Sequence, residues 1–362
     1  MTPKRVAIDL RMVGRVPHGI ARYALALWNE LPERADLRYL ALCRAEGLPS
    51  IVPQRAGDEI LLTRSRFVSP LEQVELPMVL WRARADLLHA TSFAVPLGWR
   101  GPLVVTIHDL THLRFPELHG PGRRLYYRWF VGPSARRASA VLTVSEFEKE
   151  EIARRLGVAR EKLHSAPLAI ELEAAGGRAG RDSRPPPTSP PTLLYVGNGK
   201  PHKNVELLVQ AVALLTQPAR LLLVGEGLER FATGAGIDVR APVDDTSLIE
   251  LYRSATLFLS PSRSEGFGLP PLEAAWLGTP VLVADATVLR EIWKGVTPLL
   301  SPDDPRAWAK EIDRLLGDDT ARQALADRCA AHADRYTSWA PLMDLAEKSY
   351  REALGLVPRE RE

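Results

Sequence analysis

Short apolar runs recur along this chain, separated by longer stretches in which apolar residues return every three or four positions. The runs fall at 6–10, 37–43, 86–90, 103–108 and 140–144, and again at 193–196, 220–224, 257–260 and 281–284. They are continuous rather than alternating, which predicts strands buried on both faces, as in a parallel sheet. The intervening stretches carry the helical period. Strand and helix in alternation predict an α/β protein of doubly wound, Rossmann-like type. Between the two groups, residues 171–191 read E-L-E-A-A-G-G-R-A-G-R-D-S-R-P-P-P-T-S-P-P, rich in Gly, Arg and Pro and unable to build a core. The pattern therefore predicts a first domain over 1–170, a linker over 171–191 and a second domain over 192–337. A last segment, 338–362, opens with helical periodicity.

Composition adds little to that outline. Of 362 residues, 46% are apolar and 25% charged, as in soluble globular proteins. No apolar run approaches the roughly 20 residues of a membrane span. The chain begins M-T-P-K-R-V-A-I-D-L, running directly into a strand, and its only cysteines are Cys43 and Cys329. The expectation is a cytoplasmic protein without a signal peptide, a disulfide framework or a thiolate metal site. Charge changes the picture more. Residues 1–170 carry 25 basic and 17 acidic side chains, whereas the remainder carries 22 and 27. A basic first half suggests an anionic partner there.

The most informative stretch is 261–280, P-S-R-S-E-G-F-G-L-P-P-L-E-A-A-W-L-G-T-P. An apolar strand precedes it. Pro270 and Pro271 suit the first turn of a helix, and Gly278 suits its stop. Glu265 to Leu269 is then a loop that delivers the chain into a helix N-terminus, where N–H groups and the helix dipole favour an anion. Gly266 and Gly268 allow the backbone to approach a phosphate, and Phe267 and Leu269 complete the loop. Glu273, one turn in, suits a hydroxyl pair such as a ribose diol. Glu265, ahead of the loop, can face a sugar. Phosphate, ribose and sugar together describe a nucleotide-sugar.

Three further segments carry chemistry. Residues 195–204 read Y-V-G-N-G-K-P-H-K-N, placing Lys203 near a helix start, where an ammonium and N–H donors both attract anions. Residues 17–23 read P-H-G-I-A-R-Y, with Gly19 in the first strand–helix loop, a position that admits phosphate in doubly wound folds. Residues 104–110 read V-V-T-I-H-D-L, with His108 ending a strand and Asp109 beside it as an orienting partner; His89 is a weaker candidate on the preceding strand. Ser145 to Glu148 read as a helix capping box. No D-x-D metal motif stands out, and the histidines lack ligand spacing, so no metal site is predicted.

These motifs together resemble the retaining GT-B glycosyltransferases of family 4, over nearly the whole chain. The resemblance implies two Rossmann-like domains facing a central cleft, with the donor held mainly by the second and the last helix crossing back to the first. It implies transfer of a hexose with retention, without a protein nucleophile and without a cofactor. Lys203, Glu265 and His108 take the catalytic positions. Gly19, Asn198, Lys200, Gly266, Phe267, Gly268, Leu269 and Glu273 take the substrate-binding ones. Asn198 stands where many members carry an arginine, with Lys200 and Arg22 as possible substitutes. Similarity to bacterial mannosyl- and rhamnosyltransferases favours a GDP-linked over a UDP-linked donor. The expected partners are that donor and a glycan or polyprenyl-diphosphate-linked acceptor, with no nucleic acid. Residues 121–137, P-G-R-R-L-Y-Y-R-W-F-V-G-P-S-A-R-R, mix arginines with aromatics and suggest peripheral contact with the anionic inner face of a membrane. The alternatives are a catalytically silent nucleotide-sugar binder and a GT-B epimerase.

Overall fold

The structure, a computed structural model, describes residues 2–14, 19–116, 121–172, 189–234 and 236–358. The side chains of Pro121, Arg123 and Arg124 lie outside that description. The chain divides into two compact units, one of Met1–Leu168 with Trp339–Glu362, the other of Ala169–Ser338. Leu172, within the stretch expected to link domains, is buried, and 173–188 lie outside the described residues.

In the first unit seven strands form one sheet. They are β1 (Lys4–Asp9), β2 (Leu37–Cys43), β3 (Glu59–Leu62), β4 (Leu87–Ala90), β5 (Leu103–Thr106), β6 (Ala140–Thr143) and β7 (Leu163–Ser165), in the order β3-β2-β1-β4-β5-β6-β7. Every pairing is parallel; Val6 of β1 aligns with Tyr39 of β2 and with Leu87 of β4. The chain winds outward in both directions from the β1–β4 boundary, which is the switch point where such sheets bind ligands. The helix Ala340–Ala353 packs on the helix Gly19–Glu30 and against β5 and β6. Arg34 and Arg351 pair with Glu347 and Asp36 to fix its outer side.

The second unit repeats the plan with β8 (Thr192–Val196), β9 (Arg220–Val224), β10 (Ile237–Arg240), β11 (Leu257–Ser260), β12 (Val281–Ala284) and β13 (Leu299–Leu300), ordered β10-β9-β8-β11-β12-β13. Its switch point lies between β8 and β11. Trp276, Trp293 and Trp308 fill its core with the buried Leu and Val residues of the central strands.

Local signals set the helix ends. Ser145 caps the helix Glu146–Leu156 by accepting the Glu148 amide, and Gly157 ends it with φ 65. Asp304 accepts the amides of Arg306 and Ala307 ahead of Pro305. In the helix Leu269–Trp276 both prolines lie in the first turn, and Gly278 follows its end with φ 87. One expectation shifts: β5 ends at Thr106, so His108 sits in the loop beyond it, although the Ile107 amide still reaches the Leu142 carbonyl of β6.

Candidate active site

In the second unit the loops after β8 and β11 emerge side by side at the switch point. The loop after β8 touches the loop after β9 backbone to backbone. The Gly197 and Gly199 amides donate to the carbonyls of Val224 and Glu226 at 2.9 and 2.8 Å. A Cβ on Gly199 would lie 1.9 Å from the Gly227 oxygen, and one on Gly225 would lie 1.8 Å from the Gly197 oxygen. Only glycine permits this contact. Asn198 is spent inside the turn: its Oδ1 accepts the Lys200 amide at 3.2 Å, and its carbonyl accepts the Tyr195 hydroxyl at 2.9 Å. Lys200 itself is exposed. An arginine does reach this loop, but from elsewhere: Arg230 donates to the Gly199 carbonyl. The sequence signal for it is G-E-G-L-E-R directly after β9.

Asn204 ties the neighbouring segments. It adopts φ 57 at the head of the helix Val205–Val212, and its amide nitrogen donates to the carbonyls of Pro261 at 3.1 Å and Pro302 at 2.8 Å. The Arg263 amide donates to the His202 carbonyl at 2.9 Å. With the two loops joined in this way, Lys203 Nζ meets Glu265 Oε2 at 2.6 Å, while Ser262 Oγ donates to Glu265 Oε1 at 2.7 Å. Both members of the pair are mostly buried. Burial, with the Glu265 charge close by, pushes the Tyr195 phenol well up. Two residues assigned to different parts of a ligand, one to its phosphate and one to its sugar, thus share one point in space. A cation and a hydroxyl-accepting carboxylate are presented together.

Glu265 leads into Gly266, Phe267, Gly268 and Leu269. Among the described residues no protein acceptor takes the N–H groups of these four. Pro270 and Pro271 have no N–H, so the donors at this helix start come from the loop rather than from the first turn. Gly268 holds φ 92, and Phe267 is buried against the ring of Tyr336, 5.8 Å away. Glu273 is buried one turn in, and its Oε2 accepts the Tyr252 hydroxyl at 2.9 Å. The result is a row of N–H donors flanked by an ion pair and an oriented carboxylate.

The first unit builds its switch point differently. Gly19 begins the helix Gly19–Glu30, and a Cβ there would meet nothing within 4 Å. Pro17 and His18 of the same segment lie outside the described residues. His108 Nε2 donates to the Thr91 carbonyl at 2.9 Å, and the Tyr23 and His108 rings pack in a T shape, centroids 4.6 Å apart at 89°. Asp109, expected to orient His108, accepts the Thr111 amide at 2.8 Å and so shapes the next turn. His89 is wholly buried, 2.6 Å from the Tyr350 hydroxyl and 2.8 Å from Thr106 Oγ1. Burial pushes its pKa down to about 3.

A residue that the motifs did not single out is Arg11, just past β1. It is buried and bonded twice to Asp9, at 2.9 and 2.7 Å, and to Glu72 at 2.9 Å. Burial opposes its charge, and the two carboxylates outweigh that cost and raise its pKa. Among the described residues no cluster of three or more His, Cys, Asp or Glu is placed to hold a metal ion.

Two parallel, doubly wound units, each with polar loops at its switch point, are the architecture of the GT-B fold. Sucrose-phosphate synthase from Thermosynechococcus elongatus shares the fold, with a TM-score of 0.73 at 18% identity over 98% of this chain and 100% of that one. So does WaaG, a glycosyltransferase involved in lipopolysaccharide biosynthesis, with a TM-score of 0.68 at 18% identity over 97% and 100%. Residues 17–174 match Glycosyltransferase Family 4, and residues 190–318 match Glycosyl transferases group 1. The D-inositol 3-phosphate glycosyltransferase of Nocardia farcinica is 31% identical, covering 93% of this chain and 85% of that protein. The O-antigen chain mannosyltransferase B of Escherichia coli is 28% identical over 89% and 92%. The chain belongs to glycosyltransferase family 4.

Proposed function

We propose that this glycosyltransferase moves a mannose-like hexose, with retention, from a GDP- or UDP-linked donor to a glycan or polyprenyl-diphosphate-linked acceptor. The observation that carries the reading is the row of N–H groups from Gly266 to Leu269, without an acceptor among the described residues, beside the Lys203–Glu265 pair. On this reading the donor diphosphate takes those N–H groups and Lys203. Glu265 accepts from sugar hydroxyls, Glu273 from the ribose, and His108 bonds a sugar hydroxyl. The bond from the anomeric carbon to the diphosphate oxygen breaks as the acceptor oxygen bonds the same face, and the departing diphosphate takes the acceptor's proton. The protein's part is electrostatic, each well-aimed donor contributing about 3–4 kcal/mol in the transition state. Arg230, at the Gly199 carbonyl, supplies a second cation near the loop where Asn198 replaces arginine. The O-antigen mannosyltransferase among the relatives supports a mannose-like sugar and a role in cell-surface polysaccharide synthesis.

For the acceptor side we infer peripheral contact with an anionic membrane surface from the cytoplasm. Among the described residues no helix is long and apolar enough to cross a membrane. The segment 121–137 divides its aromatics: Tyr127 enters the core, while Trp129 is 58% exposed. Arg128 and Arg136 line a cavity of about 540 Å³ with Leu125 and Leu156. Basic groups beside exposed apolar ones suit a lipid interface.

Thermal shift with GDP, UDP, dTDP and ADP tests the donor. The cognate nucleotide at 100 times its dissociation constant adds about 2.7 kcal/mol of stability. Turnover of the matching labelled sugar nucleotide is then expected, unchanged by a chelator because Lys203 and the N–H row supply the positive charge. Nucleotide binding without turnover toward any glycan or lipid-linked acceptor supports the silent binder. Loss of rate with chelator, restored by magnesium or manganese, overturns metal independence.

A further inference from the structure

A chain of buried side chains crosses the first unit from its last helix to its first. The Tyr350 hydroxyl lies 2.6 Å from His89 Nδ1, His89 Nε2 lies 2.8 Å from Thr106 Oγ1, and that hydroxyl lies 2.7 Å from the Tyr23 hydroxyl. All four residues are at most 1% exposed. The Tyr23 ring then packs perpendicular to the His108 imidazole, with ring centroids 4.6 Å apart. We propose that His89 is a positioning residue, fixing Tyr23 through Thr106 so that Tyr23 holds the ring plane of His108.

A neutral imidazole has one donor and one acceptor, so Tyr350 and Thr106 must play complementary roles on its two nitrogens. Such a chain is satisfied only when every member is present, which gives each hydroxyl one place to be. Strands β4 and β5 pair in register, His89 opposite Val104, and so hold His89 and Thr106 as neighbours. The last link is packing rather than a hydrogen bond. An edge-to-face contact at 89° fixes the imidazole's tilt, while the Thr91 carbonyl fixes its rotation. No proton passes to His108 by this route. The chain acts on geometry alone, and it makes the C-terminal helix a part of the site's support.

The inference rests on the reading of His108 as a sugar-positioning group, and the test separates the two. Tyr350→Phe and Tyr23→Phe each remove one hydroxyl and keep the ring. Each is expected to lower kcat about tenfold to a hundredfold, as small misplacements do, with KM for the sugar nucleotide within about twofold. The ¹⁵N and Hε1 resonances of His108 should shift or broaden in both folded variants. In a His108→Gln background Tyr350→Phe should cost no further activity. Variants that melt earlier yet keep kcat and the His108 resonances overturn the positioning role. If His108→Gln itself leaves turnover intact, the role given to His108 falls; the resonances then still report whether His89 and Tyr23 set its geometry.

Discussion

The two switch points solve one problem with different materials. In the second unit the site is made of backbone: interlocked glycine loops, a row of N–H groups and two side chains meeting over a few ångströms. In the first unit it is made of side chains brought together from distant parts of the sequence, the buried Arg11 with Asp9 and Glu72, and the half-buried His108 backed by the buried Tyr23, Thr106, His89 and Tyr350. A backbone site has little freedom to drift and suits a fixed ligand element such as a diphosphate. A side-chain site changes one residue at a time and suits a variable partner such as an acceptor.

The sharpest break in that contrast is to place a methyl group in each loop. Gly199→Ala drives a Cβ into the Gly227 carbonyl at 1.9 Å, so the second unit should lose several kcal/mol or fail to fold. Gly19→Ala meets open space and should leave stability within about 0.5 kcal/mol. Thermal melts of the two variants compare them directly. A stable Gly199→Ala protein would mean that the glycine interlock is slack.

Lys203→Ala should lower turnover by roughly a hundredfold or more. The loss also leaves Glu265 without its cation beside the diphosphate proposed to bind there. Lys203→Ala with Glu265→Gln should therefore cost less than the two single losses combined, which a double-mutant cycle on kcat reads. Full additivity would show that the 2.6 Å pair does not persist in solution.

Acid should test the first unit through its buried histidine. His89 is held neutral at about 3, against 6.5 unfolded, so the unfolded chain binds the extra proton. Stability from this group is complete above pH 6.5 and falls as pH drops, by about 3 kcal/mol at pH 4. Denaturant titrations from pH 7 to 4 should show the slope, and His89→Asn should flatten it. An unchanged slope in the variant would place the acid sensitivity elsewhere.

Glu273→Ala is expected to have the mildest effect on the ligand, weakening nucleotide binding by about tenfold, the value of one charged hydrogen bond. A deoxyribose analogue should lose less affinity on the variant than on the native protein. Equal losses would remove the diol contact.

The same contrast decides what the sequence could reveal. The second unit's site lay in two short stretches because backbone sites are local: Gly266, Gly268, the prolines and Glu273 are adjacent in the chain and in space. The Lys203–Glu265 pairing was not legible, since it depends on Asn204 and Arg263 joining two loops some 60 residues apart in sequence. In the first unit His108 stood out at a strand end and His89 as a weaker candidate, but the other supports did not, because Tyr23, Thr106 and Tyr350 look like ordinary core residues until the sheet brings them together. The strands show a parallel lesson. The central runs were read from their continuous apolar character, while the four not foreseen, β3, β7, β10 and β13, are the sheet edges. Edge strands are short and wet on one side; I-D-V-R in β10 alternates and falls below any test for a doubly buried strand.

The discontinuity of the first unit has a consequence for how the protein is made. Its first 168 residues emerge from the ribosome long before Tyr350, the partner of His89, is synthesised. At about 5–20 residues per second, the gap lasts roughly 10–40 seconds. Through that interval a parallel sheet waits with a buried imidazole unsatisfied and the flank of its first helix bare, while the second unit is free to fold as one uninterrupted stretch. The nascent first unit is therefore the stage at which a chaperone has most to cover, and a chain truncated before its final helix should be a substrate for proteolysis rather than a smaller enzyme.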